Sequence, residues 1–309
     1  MSKNNRKNLI LGGGISGLIW KFYHPEYEII TPEVGGVFAK TMMVWLHDTL
    51  ETRKLLTDLG WKDPEKYSRK AYIGYHYKGW ITETLTKEMS RSMIQKKMTD
   101  WSKPVDQTFT PDSFDFSTTT DKTVNYLNHL DVDLSEVVNK LSTTTITGFV
   151  SKITDKSIEY QTTPGKLIST EYDNLISTIA APIFWKIYGQ EKAFNYLPIT
   201  NVIVKRRPEC FNDKFAMVYY DENFTFCRIS HIKNVYALEF TGELNLPEAE
   251  RLCGQYDIQD IIPVKFGRIF ETKEENKPPQ NNIQFLGRFA EWKYGITSEH
   301  VLSKTLYGK

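Results

Sequence analysis

Three glycines near the amino terminus have the spacing of a phosphate-binding turn. Gly12, Gly14 and Gly17 fit the pattern G-x-G-x-x-G within the segment ILGGGISG. In such a turn the first glycine permits a tight bend, the second lets a pyrophosphate approach the backbone, and the third allows a helix to pack closely on a strand. Ile15 and Ser16 lie where the N–H groups of that helix would face the phosphate charge. The pattern predicts dinucleotide binding, with an unliganded turn as the alternative.

The elements around these glycines are the ones that the motif requires. The apolar run 8–11 predicts a strand, residues 16–23 place apolar side chains on one helical face, and YEIIT at 27–31 predicts a second strand. Residues 8–31 therefore form a predicted βαβ unit. An acid that binds ribose is expected about 20 residues after the first glycine, and Glu33 lies at about that distance. A surface glutamate without a ligand is the alternative for Glu33.

A second glycine pair comes shortly after the second strand. Gly35 and Gly36 stand in the segment EVGGVF, whereas NAD-binding domains usually continue with further βαβ units. This segment resembles the second signature of FAD-binding proteins in the glutathione-reductase-like and amine-oxidase-like superfamily. The resemblance implies that the double glycine passes close to the ribityl and pyrophosphate region of FAD. FAD is therefore the predicted cofactor.

Further segments resemble the UDP-galactopyranose mutase family, which belongs to that superfamily. WLHDTLET at 45–52 is similar to the segment that carries the family histidine, and it places His47 on that position. YYDENFTFCRISHIK at 219–233 is similar to a hairpin whose second strand carries an arginine near the flavin and the substrate phosphate. That likeness places Arg228 on the family arginine. DNLISTIAAP at 173–182 resembles the strand that closes the FAD domain.

The segment IQFLGRFAEWKYGITSEHVL at 283–302 resembles the carboxy-terminal FAD motif of the family. The resemblance implies flavin contacts for five residues of this segment and a backbone contact to adenine for one residue of the middle of the chain. These residues are Gly287, Arg288, Tyr294, Gly295 and Ile296, and Val150 for adenine. A glycine–arginine pair at a strand end also offers N–H groups and a forked cation, and a helix that starts near Ile296 would point its positive end at the flavin ring.

Four side chains are candidates for catalysis. His47 could act as a base or bind the cofactor, and a satisfied core histidine is the alternative. Arg228 and Arg268 could clamp a phosphate or a carboxylate, and a structural ion pair is the alternative for each. Tyr219 could form a wall of the pocket or stack on a base, although aromatic residues in strands more often belong to the core.

The order of elements predicts an α/β protein with two domains. A Rossmann-like FAD-binding domain of the glutathione-reductase-like type is assigned to 1–70, 143–190 and 280–309. A substrate domain, made of an antiparallel sheet and a small helical insert, is assigned to 71–142 and 191–279.

The substrate domain is predicted from short patterned segments. In the insert, residues 86–101 and 124–141 are helical in pattern. The sheet is predicted from four strands, which lie at 201–206, 215–220, 224–230 and 235–242. A hairpin turn is expected at Asp221, Glu222 and Asn223.

The composition indicates an ordinary soluble protein. The chain has 309 residues, with 39 lysines and arginines against 38 aspartates and glutamates, so no global field draws it to nucleic acid or to an anionic membrane. A local basic patch stays open as an alternative. No stretch approaches the roughly 18 apolar residues of a membrane helix. Cys210, Cys227 and Cys253 lack a CxxC spacing, which favours a reducing compartment over structural zinc or disulfides. No metal site is predicted, and a cytoplasmic location is expected.

Together these features predict an amine oxidase-like, FAD-dependent oxidoreductase. It would oxidise a C–N or C–O bond of a small, polar or nucleotide-linked substrate by hydride transfer to flavin N5, with Arg228 fixing an anionic group. A non-redox mutase or lyase that acts through N5 of reduced FAD is the alternative. A flavin-binding protein whose catalytic pocket has decayed is a third hypothesis. No feature of the sequence predicts the oligomeric state.

Overall fold

The computed structural model describes most of the chain, and the ranges that it describes are 7–36, 46–102, 126–142, 144–162, 165–232, 234–270, 275–293 and 295–308. The chain divides into two compact units. The first unit contains 1–67, 130–195 and 269–309, and the second contains 68–129 and 196–268.

The described residues contain both strands and helices. The strands are β1 (Lys7–Gly14), β2 (Tyr27–Gly35), β3 (Leu46–His47), β4 (Ser68–Tyr77), β5 (Trp80–Thr82), β6 (Tyr126–Leu130), β7 (Thr145–Ile153), β8 (Ser157–Thr162), β9 (Leu167–Ser177), β10 (Tyr196–Val204), β11 (Met217–Tyr219), β12 (Arg228–Ile232), β13 (Val235–Thr241), β14 (Ile258–Ile269) and β15 (Ile283–Phe285). The helices are α1 (Ile15–Tyr23), α2 (Leu50–Asp58), α3 (Lys87–Met98), α4 (Leu134–Leu141), α5 (Ala181–Ile187), α6 (Leu246–Cys253), α7 (Arg288–Glu291) and α8 (Ser298–Tyr307).

A parallel sheet forms the centre of the first unit. Its parallel strands lie in the order β7-β2-β1-β9-β15. The strand β8 joins the same sheet and pairs antiparallel with β7 and β9. Leu9, Ile10 and Leu11 of the central strand β1 are fully buried, as expected for a strand covered on both faces. Because parallel strands have their carboxyl ends at one edge of the sheet, β1 and β2 end side by side, with Gly14 opposite Gly35.

The helices α1, α2, α4 and α8 of the first unit share one hydrophobic core with this sheet. Leu18, Leu55 and Leu302 are fully buried members of that core, each from a different helix. Val137 of α4 belongs to the same core, so residues 134–141 lie in the first unit, whereas the sequence assigned them to the helical insert of the substrate domain.

The second unit contains a largely antiparallel sheet. Its order is β14-β10-β13-β12-β11-β4-β6, with β5 paired to β4. The one exception among the registers given by the described residues is the parallel pair β11 and β4. In β13, every residue from Tyr236 to Thr241 is buried. The helix α3 contributes Met89 and Met93, which pack with Tyr75 of β4.

The predicted fold class is confirmed: the protein is α/β, with a parallel Rossmann-like sheet in the first unit. The helix expected at 86–101 is observed as α3. The helix expected at 124–141 is wrong in its first half, because Tyr126–Leu130 is the strand β6 and its exposure alternates with a period of two residues. The helix then starts after Asp133, whose side chain accepts a hydrogen bond from the backbone N–H of Ser135 at 2.9 Å.

Two long strands, β4 and β14, were not predicted from the sequence.

Among the helices within the described residues, none combines the length and the apolar character that crossing a membrane requires.

Candidate functional site

In the turn between β1 and α1, neighbouring atoms leave no room for a side chain at two glycines, whereas a third glycine has free space beside it. Gly12 has a φ of +100°, and a Cβ atom on Gly12 would lie 2.5 Å from Oγ1 of Thr178. A Cβ atom on Gly17 would lie 2.2 Å from the carbonyl oxygen of Gly12, so only glycine lets α1 pack this closely on β1. A Cβ atom on Gly14 would meet nothing within 4 Å. The open position is the one that the motif assigns to the approach of a pyrophosphate.

The helix α1 begins directly at this turn. Gly14 is its N-cap residue, Ile15 is its first residue, and its first turn contains no acidic side chain. The N–H groups at the start of a helix carry a partial positive charge, and no carboxylate of α1 offsets that charge here. Ile15 and Ser16 are both half-buried at this position. The arrangement suits an anion.

The second strand is longer than the sequence pattern indicated. The strand β2 runs to Gly35 rather than stopping at Thr31, so Glu33 lies inside its carboxyl end, beside the glycine turn. Oγ1 of Thr31 donates a hydrogen bond to the carbonyl oxygen of Glu33 at 2.6 Å, which fixes the backbone there. The Glu33 side chain is exposed. Gly35 and Gly36 both have positive φ, at +86° and +54°, a conformation that glycine adopts without steric cost.

The carboxy-terminal segment reaches the glycine turn. A Cβ atom on Gly287, which has a φ of +93°, would lie 2.5 Å from Oγ of Ser16. The two ends of the chain therefore converge in the first unit. The N–H of Gly287 donates to Oε1 of Glu291 at 3.0 Å, and Nε of Arg288 donates to the carbonyl oxygen of Ile296 at 3.2 Å. These two hydrogen bonds link Gly287 to Glu291 and Arg288 to Ile296 within the chain itself.

The remaining cofactor residues assigned from sequence are partly described. Gly295 is exposed and Ile296 packs against the core of the first unit, while Tyr294 lies outside the described residues. The last helix, α8, begins at Ser298, two residues later than expected. Val150 lies in the part of β7 that pairs with β8, opposite Tyr160.

His47 is paired with a carboxylate that the sequence did not reveal. Nδ1 of His47 lies within hydrogen-bonding distance of Oε1 of Glu299, the second residue of α8. Burial raises the pKa of the Glu299 carboxyl, but hydrogen bonds to His47, to Thr297 and to the backbone together outweigh burial, and the pKa falls to about 2. The carboxylate orients the imidazole ring. The ring nitrogen that remains for a further contact is Nε2.

The two arginines predicted as clamps form a buried network in the second unit. Arg228 and Arg268 both make ion pairs with Glu239, whose side chain is 1% exposed. Burial raises the pKa of Glu239, yet the two guanidinium groups lower it to about 2. Sγ of Cys227 also donates to Oε1 of Glu239, at 3.3 Å. The arginine side chains differ in exposure, at 17% for Arg228 and 7% for Arg268, so Arg228 is the more accessible one.

Tyr219 lies next to this network. Nζ of Lys97 is 4.0 Å from the centroid of the Tyr219 ring, and Cζ of Arg228 is 5.9 Å from it. The ring stacks on Tyr75, with centroids 6.0 Å apart and an angle of 14° between the rings. We call the group Lys97, Tyr219, Arg228, Glu239 and Arg268 the Glu239 cluster. It contains three cationic groups and one carboxylate.

Sequence reasoning therefore found Arg228, Arg268 and Tyr219 but missed Glu239 and Lys97. Glu239 carries a usable signal, because it is a single carboxylate in the otherwise apolar run VYALEF, and a buried carboxylate requires a partner. Lys97 stands beside another lysine in a polar helix, where nothing distinguishes it. Among the described residues, no group of three or more histidine, cysteine or acidic side chains could hold a metal ion.

Comparison with known proteins gives a structural likeness only. No family model matches the sequence, and no curated protein matches it. The structure is similar to that of a reduced UDP-galactopyranose mutase, with a TM-score of 0.63, 12% identity, and coverage of 98% of this chain and 93% of that chain. It is similar to cyclohexylamine oxidase from Brevibacterium oxydans IH-35A, with a TM-score of 0.59, 10% identity and 97% of each chain covered. It is also similar to a CLA-producing fatty acid isomerase from P. acnes, with a TM-score of 0.58, 10% identity, and 99% and 98% coverage.

These likenesses extend over nearly the whole chain. Because the sequence identities are only 10–12%, these likenesses establish the fold alone. They confirm the fold that was predicted from the resemblance to amine oxidase-like flavoproteins and to the mutase among them.

Proposed function

We propose that this chain is an FAD-dependent oxidoreductase that acts on a small polar substrate with an anionic group. The observation that carries this proposal is the β1–α1 turn, which is open at Gly14 and leads directly into a helix without acidic residues in its first turn. These features fit a pyrophosphate. The fold shared with a mutase and an amine oxidase supports FAD over NAD.

The first unit would hold the cofactor through a small set of groups. The N–H groups of Ile15 and Ser16 would bind the pyrophosphate, and Glu33 would accept hydrogen bonds from ribose. Gly35, Gly36, Val150 and the segment 287–296 are proposed as further contacts. His47 would present Nε2 to the cofactor or to the substrate, because Glu299 binds Nδ1. When bound, FAD supplies an acceptor for a hydride.

The Glu239 cluster would bind the anionic group of the substrate. It contains three cationic groups and one carboxylate, so a second anion is electrostatically favourable there. Arg228 is proposed as the direct contact because it is more exposed than Arg268, and a guanidinium group can bind a carboxylate or a phosphate with two hydrogen bonds. A small metabolite with a carboxylate or phosphate and a nucleotide-linked compound would both provide such an anionic group.

The cofactor proposal is tested by the absorption spectrum of the purified chain and of two glycine variants. We expect flavin bands in the wild type and a loss of bound FAD of tenfold or more in Gly14→Ala, because the added methyl group would lie where the pyrophosphate approaches. Gly254→Ala is the matched control, since a Cβ atom there also meets nothing within 4 Å. A colourless wild type that does not take up added FAD would refute the proposal.

The redox class is tested by mixing the flavin-loaded protein with pools of candidate anionic metabolites under anaerobic conditions. Bleaching of the flavin by one substrate supports the oxidoreductase. The names of two similar structures, a mutase and an isomerase, motivate a second candidate, a non-redox flavoenzyme. A reaction that requires prior reduction with dithionite and consumes no oxygen would support that candidate instead.

A further inference from the structure

The charges of the Glu239 cluster point to an acidic group besides Glu239. The two arginines share the Glu239 carboxylate, and Lys97 adds a third positive charge directly over the Tyr219 ring. Charges held in a protein interior need compensating charges, because burial removes the water that would otherwise stabilise them. The side chain best placed to supply the additional negative charge is Tyr219, because the Lys97 and Arg228 cations both lie within 6 Å of the centroid of its ring.

The neutral acidic groups packed around Tyr219 have raised pKa values, so Tyr219 is the neighbour that can lose a proton first. On β4, burial raises the pKa of Tyr75, and on the same strand the hydrogen bond to Glu88 raises the pKa of Tyr77. Burial also raises the pKa of the Cys227 thiol. These three groups therefore stay protonated near neutral pH. On α3, burial lowers the pKa of Lys96, which precedes Lys97.

Tyr219 behaves in the opposite way to its tyrosine neighbours. Burial and, to a smaller extent, the Glu239 carboxylate raise the pKa of its hydroxyl, but Lys97 and Arg228 together lower the pKa by more, so that the net direction is downward. The geometry and the electrostatics thus agree on the same residue.

We propose that Tyr219 is the proton acceptor of this site, and that Lys97 and Arg228 stabilise the phenolate form in which it accepts the proton. In the proposed step, an O–H or N–H bond of the substrate breaks and its electron pair stays on the substrate atom. The released proton forms an O–H bond with the phenolate oxygen of Tyr219. Lys97 is a positioning residue that stabilises the ionised form of Tyr219. The role in catalysis rests on the proposed function, whereas the ionisation of Tyr219 is a property of the second unit alone.

The test is a titration of the full-length protein by the ultraviolet difference absorption of tyrosinate. The wild type should show one tyrosine that ionises below the ordinary value of about 10, and Tyr219→Phe should lack that transition. Lys97→Met should move the transition to higher pH. Tyr75→Phe is the matched control, because it alters the other ring of the stack and should leave the transition in place. Circular dichroism checks that each variant is folded.

Two outcomes would overturn the inference. One is that wild type and Tyr219→Phe give the same titration curve below pH 10, and the other is that Lys97→Met leaves the transition where it is. The visible spectrum of the same samples reports bound flavin separately. A flavin-loaded protein with an ordinary Tyr219 would therefore refute only this inference, and a colourless protein with an ionised Tyr219 would refute only the proposed cofactor.

Discussion

The β1–α1 turn of the first unit presents backbone N–H groups and glycines, whereas the Glu239 cluster of the second unit is built from fully charged side chains. In the turn, Gly14 is open to solvent and the first turn of α1 contains no acidic residue. In the cluster, Glu239 and Arg268 are more than 90% buried. Both places are suited to anions, but the charge that attracts the anion has a different origin in each.

This difference determines how the turn and the Glu239 cluster respond to the substitution of one of their residues. Partial charges at a helix terminus belong to the backbone and exist whenever the helix forms. The buried ions of the cluster stabilise one another, so the loss of one leaves another in the protein interior without compensation. We therefore expect substitutions in the turn to alter binding or packing, and substitutions in the cluster to alter the stability of the second unit.

The largest expected effect comes from removing the shared carboxylate. Glu239→Gln should lower the free energy of unfolding by about 3–5 kcal/mol, because two buried guanidinium groups would lose their common partner. Urea denaturation at neutral pH measures the change. The control is Glu159→Gln, which removes a partly exposed carboxylate 3.6 Å from the exposed Lys152 and should cost about 0–1 kcal/mol. Similar losses in both variants would contradict the distinction between the cluster and an ordinary surface ion pair.

The same comparison explains what the sequence could reveal. Gly12, Gly14 and Gly17 lie within six consecutive positions, so their spacing alone predicts the turn and its βαβ context. The cluster joins residues that are distant in the chain. Arg228 faces Glu239 because of the register between β12 and β13, and Arg268 comes from a strand that was not predicted. A pairing that depends on sheet register cannot be derived from periodicity.

His47 and Glu299 illustrate the same limit inside the first unit. The family likeness selected His47, but its partner lies about 250 positions later in the chain, at the start of the last helix. An acidic residue in the first turn of a helix is common for electrostatic reasons alone. Nothing in the local sequence therefore distinguishes Glu299 from any other acidic residue at a helix start.

An intermediate effect is expected from Gly17→Ala. The added Cβ atom would lie 2.2 Å from the carbonyl oxygen of Gly12, so α1 must move away from β1, at a cost of about 1–3 kcal/mol in the free energy of unfolding. Gly14→Ala should change this free energy by less than about 1 kcal/mol, since its Cβ atom meets no neighbour. Urea denaturation without added FAD compares the two. Equal stability of the two variants would mean that packing does not require glycine at position 17.

The smallest expected effect concerns the pair of His47 and Glu299, and it depends on pH. A carboxyl group whose pKa is lower in the folded protein stabilises the fold above its unfolded pKa, about 4.3, and this contribution is lost as the pH falls toward about 2, the pKa of Glu299 in the folded chain. Glu299→Gln should therefore cost about 1 kcal/mol at pH 7, a modest value because the His47 side chain is 36% exposed and water screens the pair. The difference from wild type should narrow progressively below about pH 5, as measured by urea denaturation at several pH values. A difference that stays constant from pH 7 to pH 3 would show that Glu299 contributes through packing rather than through its charge.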